Sequence, residues 1–495
     1  MKERHEKKEF KLCVYIFFVM LNAINLTLCF AVPWLYQEFN EISFDEVLFT
    51  FTMPMAGTNL STYVKNVSIC VILPAIVATA LIQLVMIKIY KPRKGTLAFQ
   101  KSIVQITILE FISAMIMMAL FLHIGDFFKH SNKYSVLIEK EYVDPKNVTM
   151  KFPKKKRNLI YVYMESMESS LVGKSNGGIT DQDYIPELTE LCKKYTNFTP
   201  NNKIGGFYCV AGTNYTSAAL TAQTMGIPLK EIGSFSGKNL KKEFLPKVTA
   251  LGDLLQEQGY DNYFTIGSEA DFGGRQTLFE THGDYNIFDY NTAIRKGYIS
   301  KDYKVWWGYE DNKLFEYAKK DLNKISQKDK PFNYTLLTVD THYPDGYKCK
   351  LCKNEFDSQY KNVYACSSRQ VYSFVRWIQK QDFYDNTTII LCGDHTTVNG
   401  KMLKGIKDEK RQVYNVIINA PIVEKNTKER QFTAFDMFPT TLAALGVEIQ
   451  GDRLGLGVNL YSKNKTLCEK YGLEKFNNEL DSRSLFYYRR FIGEK

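Results

Sequence analysis

Beyond Lys129 the chain has no further long, charge-free apolar run, which confines any membrane part to its first quarter. No internal repeat or low-complexity tract stands out. Nor is there a nucleic-acid recognition motif, and the net charge of +11 points instead to a protein working at a membrane surface. No small-residue cleavage site follows the first apolar run, and that run is too long for a cleaved signal peptide.

What is present divides the 495 residues into unequal parts. Residues 12–36 and 67–87 carry no charge, and residues 103–124 carry one, Glu110. Each run is long enough, at about 1.5 Å per residue, to cross a hydrocarbon layer of roughly 30 Å. An acid inside such a helix is a functional candidate by default, but a side chain facing the bundle or lying nearer the interface is the simpler reading of Glu110. Basic residues crowd the amino-terminal flank (Lys2, Arg4, Lys7, Lys8, Lys11) and the turn between the second and third runs (Lys88, Lys91, Arg93, Lys94, Lys101). The loop after the first run is acidic, with Glu38, Glu41, Asp45 and Glu46. The positive-inside rule then puts the amino terminus in the cytoplasm and everything after about residue 125 outside. The expected organisation is a membrane domain over 1–125 with about three helices, a juxtamembrane linker over 126–157 and an extracytoplasmic domain over 158–495. The basic stretch 152–158 either rests on anionic headgroups or is simply solvated.

From Asn158 onward, strand-like runs (NLIYVYM, NYFTIG, NYTLLTV, TTIILCG, YNVIINA) alternate with helical ones (IPELTELCKKY, KVTALGDLLQEQG, NKLFEYAKKDLNKI, SRQVYSFVRWIQKQ). That alternation predicts an α/β fold with a mostly parallel sheet flanked by helices. Sites in such sheets gather at the carboxyl ends of strands. Glu165 closes the first strand, and Asp394 and His395 close TTIILCG. These are hard and borderline ligands suited to a divalent cation, although strand-end polar residues can be merely structural. Of ten cysteines, Cys349, Cys352 and Cys366 cluster in a polar region. A lone C-x-x-C could be half a zinc site, but no second pair or His cluster follows, so a bridge from Cys349 or Cys352 to Cys366 is expected.

Residues 205–229 hold a Gly-rich loop followed by TSAALTAQTM, a helix opening on Thr216. A threonine there is an N-cap in most proteins. The same place also suits an anion, and a hydroxyl beside a cation can act as a nucleophile. At this point the chain resembles the bacterial membrane phosphoglycerol transferases, relatives of lipoteichoic acid synthase and of the periplasmic glucan-modifying enzyme, in the sulfatase and alkaline phosphatase superfamily. NLIYVYMES is similar to the family's first strand, TNYTSAALTAQTMGIPL to its nucleophile segment, and CGDHTTVN to its second metal motif. LLTVDTHYPDGY and GYDNYFTIGSEADFGGRQTLFETHGDYNIFDY resemble its substrate-pocket segments, and TAFDMFPTTLAALGV and RLGLGVNL its closing ones.

The resemblance implies an alkaline-phosphatase/sulfatase-like fold behind an α-helical transmembrane region. It implies Glu165, Thr216, Asp394 and His395 as metal ligands, Thr216 as nucleophile, Arg275 on the phosphate and His342 in contact with substrate. It further implies one divalent ion, Mn2+ with Mg2+ or Zn2+ as alternatives, and phosphatidylglycerol as donor. The acceptor would be a glycan or polyol phosphate, and the setting the bacterial cytoplasmic membrane. Two alternatives stand beside transfer of phosphoglycerol: phosphoethanolamine transfer, and a sulfatase-like phosphodiesterase or hydrolase. Gly273 and Gly274 separate Phe272 from Arg275, where the lipoteichoic acid branch has an aromatic residue directly before the arginine; this departs from the polymerase pocket. Relatives often have four or five membrane spans, against three here. Glu168 reads as a solvated or hydrogen-bonded neighbour and His282 as a capping or packing residue. Trp306 and Trp307 either pack in the core or border a lipid-facing mouth.

Overall fold

The structure, a computed structural model, describes residues 2–39, 60–89, 97–122, 125, 133–230, 242–397, 402–403, 411–422 and 427–493. Most of the acidic loop, most of the basic turn used for orientation, and residues 126–132 lie outside them. The chain divides into two compact units.

Among the described residues, the amino-terminal unit holds three helices long and apolar enough to cross a membrane: Leu12–Tyr36, Val64–Ile89 and Phe99–Phe121. The second contains a π-helical turn, Ser68–Ile72. Ile16, Met20, Leu84, Leu109 and Ile116 stay exposed, as a lipid-facing surface requires. Polar groups turn inward. Asn25 Nδ2 donates to the Thr107 carbonyl at 3.0 Å, Tyr15 to Gln83 at 3.0 Å, and Asn22 to the Glu110 carboxylate. Glu110 therefore faces the bundle, where such bonds join helices that gain little from apolar contact in lipid.

The second unit is built on a seven-stranded sheet in the order β3-β8-β7-β2-β6-β4-β5. β1 is Met150–Lys151, β2 Asn158–Met164, β3 Gly206–Phe207 and β4 Asp261–Ile266. β5 is Asn286–Phe288, β6 Phe332–Leu337, β7 Thr387–Gly393, β8 Val413–Ile418 and β9 Glu448–Ile449. β7, β2, β6, β4 and β5 run parallel, and β8 lies antiparallel to β7. All seven residues of β2 are buried. Its side chains alternate between two cores: Leu159, Tyr161 and Tyr163 pack in one, and Ile160, Val162 and Met164 in the other. A strand covered on both faces by helices reads as a continuous apolar run for this reason.

Two expectations need correction. Residues 133–157 are part of the folded unit, which spans His130–Lys495, and not a linker. Ser135 N–H donates to the Arg483 carbonyl at 2.9 Å, Leu137 and Ile138 are buried, and β1 pairs with β9. The buried Glu141 accepts from Lys470 (2.7 Å) and Tyr471 (2.6 Å). These partners lie hundreds of residues away, so locally the segment looks merely polar. The helix expected from Ser368 begins earlier and spans Gln359–Ile378, placing Cys366 inside it.

Candidate active site

Parallel register sets the site. Met164 of β2 lies opposite Gly393 of β7, so the next residues, Glu165 and Asp394, leave the sheet side by side. Their turns are joined through one oxygen: Asp394 Oδ1 accepts from the backbone N–H of Ser166 (2.7 Å) and of His395 (2.8 Å). Ser166 takes φ of 53°, a left-handed conformation that a non-glycine residue adopts at a cost, and its hydroxyl donates to Glu165 Oε1 at 2.7 Å. Thr338 and Thr341, following β6, hold the Glu165 backbone at 3.0 and 2.6 Å.

Thr216 is the first residue of the helix Thr216–Met225, whose N-cap is Tyr215. Its hydroxyl is therefore not a cap. Oγ1 lies 3.3 Å from Glu165 Oε2 and 3.5 Å from His395 Nε2. The helix is anchored to the sheet by Gln223, which takes the Tyr161 hydroxyl (2.7 Å) and donates to the Gly393 carbonyl (3.1 Å).

One donor atom each from Glu165, Asp394 and His395 lies within 4.8 Å of the others. His395 Nδ1 contacts the Thr396 carbonyl at 2.8 Å, which fixes the proton on Nδ1 and turns the Nε2 lone pair inward. Nε2 stands 3.4 Å from Asp394 Oδ2 and 3.6 Å from Glu165 Oε1. Asp394 Oδ2 is buried with no hydrogen-bond donor. Burial, then the Glu165 charge, pushes Asp394 up to about 7. Burial acts the same way on Glu165 but is outweighed by His342, His395, Ser166 and Arg275, which hold it below the usual range. Two crowded carboxyls, an orphaned oxygen and an inward imidazole nitrogen fit a divalent cation.

Arg275 is buried and opens the helix Arg275–Thr281. Its guanidinium donates to Glu269 O (3.0 Å) and Ser268 Oγ (3.3 Å), and Nε has no partner. Burial lowers it to about 10, opposed by the Glu165 and Asp394 charges. Gly273 and Gly274, both left-handed at φ of 66° and 74°, fold Phe272 back so that its ring lies 5.1 Å from the guanidinium. An aromatic neighbour of Arg275 is thus retained despite the inserted glycines. The Gly273 carbonyl accepts from Ser217 Oγ at 2.7 Å, tying the arginine turn to the residue after Thr216.

His342 Nδ1 contacts the Tyr343 carbonyl at 2.9 Å, which fixes the proton on Nδ1, and burial lowers its pKa. Its ring packs 4.7 Å from Trp307, which packs 5.3 Å from Phe272. Trp307 is thus a buried wall beside His342 and the Phe272–Arg275 pair, whereas Trp306 is half-buried with φ of 52°. Glu168 is fully buried on Arg411 and the Thr397 N–H. His282 ends its helix, bonded to Asp253 and the Phe244 carbonyl. The cysteines form no bridge: Cys349 Sγ lies 3.7 Å from Cys352 and 3.8 Å from Cys366, and all three thiols are free. Sequence reasoning missed Ser166, whose only local signal is its place after a strand-end acid, and Arg411, whose partner is remote.

A sulfatase family model matches residues 157–447. Phosphoglycerol transferase I of Escherichia coli O127:H6 is 27% identical over 362 residues, 69% of this chain and 46% of that protein. The same figures hold for phosphoglycerol transferase I of Shigella boydii serotype 18. The chain spans about half the length of these curated relatives. An alkaline phosphatase superfamily protein from Vibrio parahaemolyticus superposes with a TM-score of 0.50 at 22% identity, covering 70% of this chain and 79% of that one. Lipooligosaccharide phosphoethanolamine transferase A from Neisseria meningitidis gives 0.54 at 15% identity, covering 87% and 84%. These likenesses speak to fold. With the family model matching more than half of the sequence, over the sheet and the turns that carry the site, the chain belongs to the sulfatase family.

Proposed function

We propose that this protein is a phosphotransferase that moves phosphoglycerol from phosphatidylglycerol to an extracytoplasmic glycan or polyol-phosphate acceptor, through a covalent intermediate on Thr216. The observation that carries the reading is the Thr216 hydroxyl at 3.3 Å from Glu165 and 3.5 Å from His395, at the start of a ten-residue helix. A divalent cation held by Glu165, Thr216, Asp394 and His395, Mn2+ or the related Mg2+ or Zn2+, would sharpen that hydroxyl and offset phosphate charge.

Thr216 Oγ1 attacks the lipid phosphorus, and the bond to the diacylglycerol oxygen breaks. Glycerophosphoryl-threonine and diacylglycerol result. An acceptor hydroxyl then attacks the same phosphorus and releases Thr216. His342 Nε2 relays the proton, first from Thr216 to the departing diacylglycerol oxygen and later from the acceptor back to Thr216. Arg275 pairs with the phosphate oxygens. Free N–H groups at the start of the Thr216 helix favour the same anion. Trp307 and Phe272 shape the wall beside it. The names of the curated relatives support the phosphoglycerol group, and the apolar helices with basic flanks support a domain outside the bacterial cytoplasmic membrane.

Thr216 is followed by Ser217, Ala218, Ala219 and Leu220, which lack the C/S-x-P-x-R context that sulfatases need to build formylglycine. The test uses vesicles containing phosphatidylglycerol or phosphatidylethanolamine, each labelled in its headgroup. Diacylglycerol release and labelled acceptor are expected from the first only, and Thr216→Ala should abolish both while the fold is kept. Near-normal turnover by that variant would refute the covalent route. Release from phosphatidylethanolamine alone would make the protein a phosphoethanolamine transferase.

A further inference from the structure

Cys349, Cys352 and Cys366 play no part in the reaction above, yet their sulfurs converge. Cys349 and Cys366 are buried, and Cys352 is half-buried. All three sulfurs lie within 4.8 Å of one another, with two edges of 3.7 and 3.8 Å. A tetrahedral ion with Zn–S bonds of about 2.3 Å places its sulfurs roughly 3.8 Å apart. The turn also has the form of a metal knuckle. Cys352 N–H donates to the Cys349 carbonyl at 3.0 Å, and the neighbouring Cys352 and Cys366 thiols, with smaller help from the Leu351 and Cys352 N–H groups, lower the pKa of Cys349. Gln370, one helical turn after Cys366, brings its amide nitrogen to 3.4 Å from Cys366 Sγ and 3.8 Å from Cys349 Sγ. Those are the distances of a fourth vertex, since Zn–O of about 2.0 Å sets an oxygen roughly 3.5 Å from each sulfur. The amide oxygen is buried without a donor, and a half-turn about the last side-chain bond brings it to that vertex.

We infer that Cys349, Cys352, Cys366 and Gln370 form a second, structural site for Zn2+, separate from the Glu165–Asp394–His395 group. Three soft sulfur donors select zinc over the hard cations. Binding displaces the thiol protons and leaves no redox change. A surface cleft lined by Leu351, Cys366, Arg369 and Gln370 is the entry path. The ion would staple the loop that leaves β6, carrying Asp340 and His342, to the helix Gln359–Ile378.

The test uses the full chain purified in detergent without reductant or chelator. A mercurial thiol reagent should release a single zinc equivalent per chain, read with a colorimetric dye. That equivalent should be absent from Cys352→Ser and retained in Asp394→Asn, which loses only the other metal. Protein loaded with Co2+ should show thiolate-to-cobalt charge-transfer absorption in the near ultraviolet. Gln370→Ala keeps all three thiols and should bind the released zinc about 10-fold more weakly, which keeps the test decisive if Cys352→Ser fails to fold. A disulfide between any two of the three cysteines in non-reducing peptide maps would overturn the inference. So would unchanged zinc content after mercurial treatment. Neither result touches the Thr216 reading.

Discussion

Removing Arg411 should be among the most damaging single changes outside the reacting groups. Glu168 is fully buried, and Arg411 is only 6% exposed. Arg411 Nε donates to Glu168 Oε2 at 3.1 Å, and a second guanidinium nitrogen reaches Oε1 and the Thr397 carbonyl. Glu168 also accepts from Thr397 N–H at 2.8 Å. The pair therefore clasps the turn after β2 to the turn after β7, the two that carry Glu165, Asp394 and His395. Arg411→Ala leaves a buried carboxylate without its counter-charge, a loss of about 3–5 kcal/mol. The Thr397 bond offsets part of this, so the lower end is expected. If these turns carry the metal ligands as proposed, loosening them together should lower metal affinity about 10- to 100-fold. Chemical denaturation of the full chain in detergent reads the first effect, and competition with a metal-binding dye reads the second. Replacing both partners, Glu168→Leu with Arg411→Met, should recover most of the stability, since no unpaired charge is left behind. A stability loss below about 0.5 kcal/mol for Arg411→Ala would refute the clasp, because an exposed or solvated pair behaves that way.

Gly273→Ala should cost about 1–2 kcal/mol, because φ of 66° suits only glycine there and the added Cβ would lie 2.7 Å from Ser217 Oγ; the same push on the Arg275 turn should raise KM for the lipid more than it lowers kcat. Trp307→Leu removes the ring that packs on Phe272 and His342 and should lower kcat/KM about 2- to 10-fold with a small change in melting temperature. Asp436 is buried and pushed up to about 7. The native state keeps a proton that the unfolded chain releases near pH 4, so stability should fall as pH rises from about 4 to 7, by on the order of 4 kcal/mol in total, and level off above. Denaturation curves of the wild type and of Asp436→Asn across that range isolate the effect, and a wild-type stability that does not fall relative to the variant would contradict it. Chelation should lower the melting temperature of the wild type by more than that of Asp394→Asn, which keeps only the thiolate-held zinc, if the Glu165 group holds its ion as proposed.

Much of the catalytic unit was legible from residue order. The five strand-like runs are five strands, because a strand covered on both faces must be apolar throughout. β3 and β5, two and three residues long, left no pattern to read. Glu165, Asp394 and His395 stood out as polar residues ending such runs. Residue order left Thr216 open between cap and nucleophile; Tyr215 is the N-cap, so the cap reading falls. The segment from residue 133 looked like a linker because its partners, Arg483, Lys470 and Glu448, lie at the far end of the chain. The cysteine cluster looked like a bridge because spacing alone could not place Cys366 on a helix that brings Gln370 to the same point.

Sequence alone determined the strand and helix pattern, the apolar spans and which residue types end each strand, since these rest on periodicity and charge within a few residues of chain. Only the tertiary structure decided that Thr216 meets Glu165 and His395, that Arg275 keeps an aromatic neighbour across two glycines, that Glu168 pairs with Arg411, and that three thiols and an amide share one point. Those contacts join elements far apart in sequence, and the strand register and the paths of the connecting loops set their distances. Neither leaves a local trace in residue order.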